Sequence, residues 1–171
     1  GIALFTRSTF HPEAEGTVIR KDLVCEERTV TGVVGRKGLS GVLLKDGSLP
    51  RVCAWLRETG LVPDFACFDA DGQNLLLFSD AANVGLTGQL GKAASLTGSS
   101  VISGLGVVSV VGDVFGCDEV RTAFLETVSK MADVRGLIAT PTAVTVVLPE
   151  EAVDVVTRLL HRACMTQGID G

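Results

Sequence analysis

Residues 107–113 read VVSVVGD, a short apolar run bounded by Gly106 and Gly112, and they constrain the reading of everything that follows. A brief valine-rich run closed by a glycine is a strand. Residues 118–131 then place Val120, Ala123, Phe124, Val128 and Met131 three to four positions apart, with Glu119, Arg121, Glu126 and Lys130 between them. That spacing is one buried face of a helix. Residues 137–140 and 142–148 are β-branched runs broken at Pro141, and Val155, Val156, Leu159, Leu160 and Ala163 return to helical spacing. Strand, helix, strand, strand, helix is the plan of a small module of helices covering one side of a sheet, not of a catalytic core.

The first part of the chain repeats this plan more faintly. Residues 31–34 and 41–44 are short strand candidates. Ser48 is placed to cap a helix whose buried stripe is Leu49, Val52, Cys53 and Leu56, and Gly60 is placed to end it. Pro50 falls in the first turn, where its missing N–H is harmless. Residues 65–68 and 75–78 flank Asp69-Ala70-Asp71-Gly72, a hairpin-turn sequence. Within 84–97, Leu86, Leu90 and Leu96 supply one face of a further helix. Two units of about 70 residues each are expected.

Composition excludes several function classes. A chain of 171 residues holds one large or two small domains. With 46% hydrophobic and 20% charged residues it is too apolar for a disordered tail, and some apolar surface is available for self-association. The 20 glycines suit turns and short strands. A net charge of -5, with only the basic pairs Arg20-Lys21 and Arg36-Lys37 and no aromatic stripe, argues against nucleic acid as a partner. No run is long and apolar enough for a membrane span, and no cationic leader precedes an apolar core, so a cytoplasmic location is expected. Five cysteines without paired spacing argue against a disulfide framework, and Cys53 and Cys164 are expected as buried thiols. His11 and His161 share no spacing with acidic or thiol ligands, so no metal is expected. Residues 32–38, GVVGRKG, lack the GxxxxGK-Ser/Thr order of a phosphate loop and read as turns, while Gly104-Leu105-Gly106 precedes a strand instead of opening a helix.

Two strand-to-helix junctions remain as binding candidates: Lys45-Asp46-Gly47-Ser48 ahead of the first helix, and residues 113–118, from Asp113 to Asp118, ahead of the next. Backbone amides at a helix start receive a carboxylate, and a nearby acidic side chain receives an ammonium group, so either junction suits a zwitterionic amino acid. The plain alternative is that Asp46, Ser48 and Asp118 cap their own helices.

Ser8-Thr9-Phe10-His11-Pro12-Glu13-Ala14-Glu15-Gly16-Thr17-Val18-Ile19 resembles the segment that joins the kinase body of aspartate kinases to their regulatory region. Val30-Thr31-Gly32-Val33 resembles the first regulatory strand, and residues 107–112 resemble the opening strand of the second regulatory domain. The resemblance covers nearly the whole chain. It implies an α+β fold of two ferredoxin-like βαββαβ ACT domains packed side by side, with strand exchange between the units allowed. Residues 1–28 would form a linker and leading strand, 29–98 the first ACT domain and 99–171 the second.

The same resemblance implies feedback inhibition by lysine, threonine or both, homodimerisation, and a catalytic kinase domain or subunit as partner. ATP and magnesium would belong to that kinase part, and no cofactor or catalytic residue is expected in this chain. The effector positions carried over are Asp46, Gly47, Ser48, Leu49 and Asp64 in the first unit, and Asp113, Asp118 and Thr140 in the second. The proline-glycine pair that the family has near Asp46 and near Asp113 is missing, as is the glutamate of its Thr-Ser-Glu at 140–142. Two other classes remain: an interaction or assembly module with degenerate sites, and a small enzyme using Cys67 and Asp64.

Overall fold

A computed structural model describes residues 4–6, 17–19, 30–69, 71–79, 85–131 and 133–165. His11, Cys25, the Arg20-Lys21 pair and most of the linker-like segment at 8–19 lie outside the described residues. Within the leading segment β1 (Leu4–Thr6) pairs antiparallel with β2 (Thr17–Ile19).

The body of the molecule is built on two long antiparallel strands, β3 (Val30–Leu43) and β6 (Ser100–Gly112). Between them come α1 (Leu49–Thr59), β4 (Phe65–Phe68), β5 (Asn74–Ser79) and α2 (Leu86–Thr97). After them come α3 (Asp118–Ser129), β7 (Gly136–Thr140), β8 (Ala143–Pro149), a 3₁₀ turn at Glu150–Ala152 and α4 (Val153–Met165). The six strands form one antiparallel sheet in the order β4-β5-β3-β6-β8-β7. A lone bridge from Asp69 to Gly136 joins the two outer strands and nearly closes it.

β3 and β6 each serve both halves of this sheet. Residues 39–43 of β3 pair with β5 and with the start of β6, while residues 30–36 pair with the end of β6, which goes on to β8. The first half is therefore β3-α1-β4-β5-α2-β6, a ferredoxin-like βαββαβ unit. The second half takes β6-α3-β7-β8-α4 and borrows the beginning of β3 as its fourth strand. The crossing is marked on both strands. The register gains one residue on β3 between Arg36 and Leu39 and one on β6 between Leu39↔Leu105 and Gly41↔Ile102; Gly38 and Gly104 sit there at φ 71 and φ 70. An L side chain is disfavoured in that conformation, which is the usual place for glycine in a bulge.

Strand alternation then sorts the side chains into three cores. Val42, Leu44, Leu76 and Phe78 face α1 and α2, meeting Val52, Trp55, Leu86 and Leu90. Val108, Val110, Val144 and Val146 face α3 and α4, meeting Val120, Phe124, Val156 and Leu160. The opposite faces of both halves converge on a shared inner cluster of Leu39, Leu75, Leu77, Leu105, Val107 and Val147.

Several expectations need correction. The candidates at 31–34 and 41–44 are one strand, and the glycines of 32–38 lie inside it, not in turns. β6 likewise begins at Ser100, so Gly104-Leu105-Gly106 is strand. The reason is close packing: a Cβ on Gly35 would lie 2.5 Å from Thr157 Oγ1, and one on Gly106 would lie 2.4 Å from Val153 Cγ2. These glycines let α4 rest directly on the backbone of the crossing strands.

Helix faces also turn by a position or so. In α1, Leu49 and Cys53 are exposed; Val52 is buried and Leu56 packs against the core as expected, and Trp55 joins them in place of the other two. Leu96 of α2 and Val155 and Leu159 of α4 face outward, while Ala93, Ala94 and Thr97, and Val153 and Cys164, lie inside. Cys164 is the buried thiol expected of it; Cys53 is not.

Candidate functional site

Both strand-to-helix junctions lie at ends of the sheet, each beside the turn that joins the two following strands. At the first, Leu44 N–H donates to Asn74 O at 2.8 Å and Lys45 N–H donates to Ser99 Oγ at 3.4 Å, which brings 45–48 beside the β4–β5 turn and the start of β6. Gly47, at φ 73, turns the chain into α1. The expected cap by Ser48 does not form. Its buried hydroxyl donates back to Lys45 O, and its backbone is already helical, so it makes no side-chain bond to the amides of α1. With Pro50 in the first turn, the helix start keeps uncapped donors.

A depression of about 240 Å³ opens here, lined by Leu43, Lys45, Asp46, Gln73, Gly98, Ser99 and Ser100. Among the described residues, no hydrogen bond or ion pair engages the Lys45 ammonium, the Asp46 carboxylate or the Gln73 amide. A cation, an anion and an amide thus surround one concavity without using one another. Such a set can receive both charges of a small zwitterion. Asp46, Gly47, Ser48 and Leu49 are brought together at this edge, with Leu49 exposed beside it.

Asp64 is not brought to them. Its carboxylate accepts from Arg36 Nη2 at 2.8 Å and from Ser79 N–H at 2.7 Å, at the far end of β5. The β3–β5 register runs from Leu43↔Leu75 to Leu39↔Ser79, so about 13 Å of strand separates the two places.

The second junction is internally satisfied. Asp113 Oδ1 accepts Gly116 N–H at 2.8 Å, so the loop closes on itself, and Val114 plugs into the core. Asp118 is ion-paired with Arg121 at 2.6 Å, while the N-cap is Cys117, which offers no side-chain bond to the helix. Thr140 Oγ1 donates to Ala143 O and accepts Ala143 N–H, both at 3.0 Å, closing the β7–β8 turn. Gly112 N–H donates to Thr142 O at 2.8 Å, which sets that turn beside the end of β6 and thus beside Asp113. Asp118 also lines a broad hollow of about 410 Å³ with Glu119, Thr122, Ala123 and Glu126, along the side of α3.

Sequence reading placed Lys45 in this junction but missed Gln73 and Ser99 as members of the first depression. The hairpin turn at 69–72 carried the signal for Gln73: in a βαββαβ order that turn lies at the same sheet end as the β3–α1 junction. Burial pushes the thiols of Cys67 and Cys164 above their ordinary pKa, and for Cys67 the nearby Asp69 carboxylate adds to it. Neither suits a nucleophile at neutral pH. Among the described residues no group of three or more His, Cys, Asp or Glu side chains is arranged to hold a metal ion.

No protein-family model matches the chain, and no curated protein matches it by sequence. Solved structures do match its architecture. Aspartate kinase from Clostridium acetobutylicum superposes with a TM-score of 0.72 at 15% identity, over 96% of this chain and 42% of the kinase. The chain has the fold of an aspartate-kinase regulatory region. Aspartokinase III from E. coli, solved with lysine and aspartate, gives a TM-score of 0.71 at 17% identity, over 95% of this chain and 39% of that one. The regulatory subunit of aspartate kinase from Thermus thermophilus, in ligand-free form, gives 0.63 at 21% identity, over 80% of this chain and 98% of the subunit. The chain thus spans about two fifths of these two kinases and matches almost the whole of that separate regulatory subunit.

Proposed function

We propose that the chain is the regulatory region of an aspartate kinase and that it binds an end-product amino acid, lysine or threonine, at the β3–α1 junction. The observation that carries this reading is the unpaired set of Lys45, Asp46 and Gln73 around one depression beside an uncapped helix start. Asp46 would take the ligand's ammonium group, and Lys45, with the free amides of α1, its carboxylate. Gln73 would bond whichever of the two groups faces it.

On this reading the chain carries out no phosphoryl transfer by itself. ATP and magnesium would be held by a kinase domain or subunit, and binding here would shift that partner between active and inactive states by the difference in ligand affinity for the two. The division at 29–98 and 99–171, with residues 1–28 as linker, belongs to the same proposal, as do a homodimer and a cytoplasmic setting. Among the described residues no helix is long and apolar enough to cross a membrane. Asp64, Asp113, Asp118 and Thr140 take structural parts in this proposal, because each is already bonded within the chain.

The self-satisfied second junction favours an assembly role for the second half, and for the whole chain if the first junction binds nothing. Calorimetric titration of the purified chain with lysine and with threonine, alongside its mass in solution, tests the proposal. Saturable binding of either supports feedback control. A folded oligomer that binds neither leaves assembly as the function.

A further inference from the structure

The sheet closes at one weak place. Neighbouring strands elsewhere share long registers, four residue pairs between β4 and β5 and five between β7 and β8, but β4 and β7 meet through the single bridge of Asp69 with Gly136. Continued in register, that bridge would set Phe68 opposite Leu137 and Cys67 opposite Ile138. Neither pair forms. Phe68 and Leu137 remain 64% and 40% exposed on the outside, while Cys67 and Ile138 are half-buried on the inner side, packed against the shared core. Gly136 sits directly under β4: a Cβ there would lie 2.9 Å from both Cys67 Sγ and Phe68 O.

Asp69 has a second role. Its Oδ1 accepts the N–H groups of Asp71 at 3.0 Å and Gln73 at 2.7 Å, and its own N–H donates to Gln73 O at 2.8 Å. The residue that closes the seam therefore also holds the turn from which Gln73 lines the β3–α1 depression.

We infer that the β4–β7 seam is a movable closure whose state is coupled to occupancy of that depression, with the bonds from Asp69 to Asp71 and Gln73 as the coupling element. The inference rests on the amino-acid-binding reading above. A ligand bonded to Gln73 holds the turn in the conformation that presents Asp69 to Gly136, so it binds the closed form better and shifts the population toward it. By reciprocity, a closed seam tightens binding. Opening draws Gly136 away from Cys67 Sγ and so uncovers the shielded part of that thiol.

The native thiols report this directly. Alkylation by iodoacetamide, followed peptide by peptide by mass spectrometry, compares Cys67 with exposed Cys53 and with Cys164 in the α3–α4 core. Cys67 is expected to react more slowly than Cys53 and faster than Cys164. Whichever of lysine or threonine binds by calorimetry is expected to slow Cys67 at least about fivefold at saturation, leaving the other two thiols unchanged. Gly72→Ala, which strains the turn at φ 78 from outside the seam, is expected to speed Cys67 without ligand. Gln73→Ala, taken to calorimetric saturation, is expected to lose the ligand effect on Cys67. An unchanged Cys67 rate at calorimetric saturation overturns the coupling. If neither amino acid gives heat, the binding reading fails on its own, and Gly72→Ala then decides the seam: an unchanged rate in that folded variant overturns it.

Discussion

Asp46 and Asp113 stand in matching places, each just past the end of a central strand and ahead of a helix, and the chain uses them differently. Asp113 folds back on Gly116 N–H, Asp118 pairs with Arg121, and Thr140 closes the neighbouring turn. Asp46 bonds to nothing among the described residues, and neither do the Lys45 ammonium and the Gln73 amide beside it around the depression. A doubled architecture permits this division. One junction satisfies its polar groups internally and so contributes to stability, while the other leaves them to solvent, where unpaired charges cost little. On the proposed reading, the open junction is the one that exchanges water for a ligand.

The sharpest way to break the comparison is to ask whether the halves are separable. Phe78 and Phe124 are fully buried, one in each helix-facing core, and Phe→Ala at either is expected to cost about 3–5 kcal/mol. Because β3 and β6 run through both halves, each variant should shift one common urea transition. Two transitions, with each variant moving only its own, would mean that the halves fold independently.

A smaller effect tests the crossing itself. Gly106→Ala would drive a methyl group into Val153 and to 2.9 Å from the Arg36 carbonyl, and is expected to destabilise by about 1–3 kcal/mol. Gly32→Ala, with open space around it, should be near neutral. Equal costs would remove α4 packing as the reason for glycine at 106.

Next come the two aspartates. Asp113→Ala is expected to lose about 1 kcal/mol with the Gly116 bond, and Asp46→Ala to stay within about 0.5 kcal/mol of the parent, both by urea unfolding. Binding should show the reverse pattern, lost in Asp46→Ala and kept in Asp113→Ala.

The smallest effect is electrostatic. The Lys37 ammonium, 2.6 Å from Asp154, holds that carboxyl below its ordinary pKa of 3.8. A depressed folded-state pKa contributes stability that is present above the unfolded value and lost as pH falls through the folded one. Asp154→Asn should therefore be slightly less stable than the parent at neutral pH, and the gap should close well below pH 3.8, as read by urea unfolding at both pH values. A gap that persists in acid would point to packing instead of charge.

These contrasts also explain what the sequence could reveal. The second half was readable from the end of β6 onward, because β7 and β8 are short β-branched runs and its helices alternate charged and apolar residues. The first half hid the continuity of β3, because Gly32, Gly35 and Gly38 read as turns between two short strands. One sequence does not distinguish a glycine required by positive φ, as at 38, from one required by close approach, as at 35. Helix faces slipped because Leu49, Val52, Cys53 and Leu56 fit the helical period as well as the Val52 and Trp55 face that is buried. At the site, 46–49 were local in sequence and stayed together. Gln73 and Ser99 arrive from distant turns, and Asp64 departs to Arg36 at the other end of β5, which local spacing does not encode.

The central claim is that only the first junction is open for a ligand, and the most direct test is to watch both junctions at once. A backbone amide NMR titration with lysine and with threonine should move the signals of residues 43–49, 73 and 98–100 and leave those of 113–118 and 140–143 in place. Equal shifts at the two junctions, or shifts confined to the second, would contradict it.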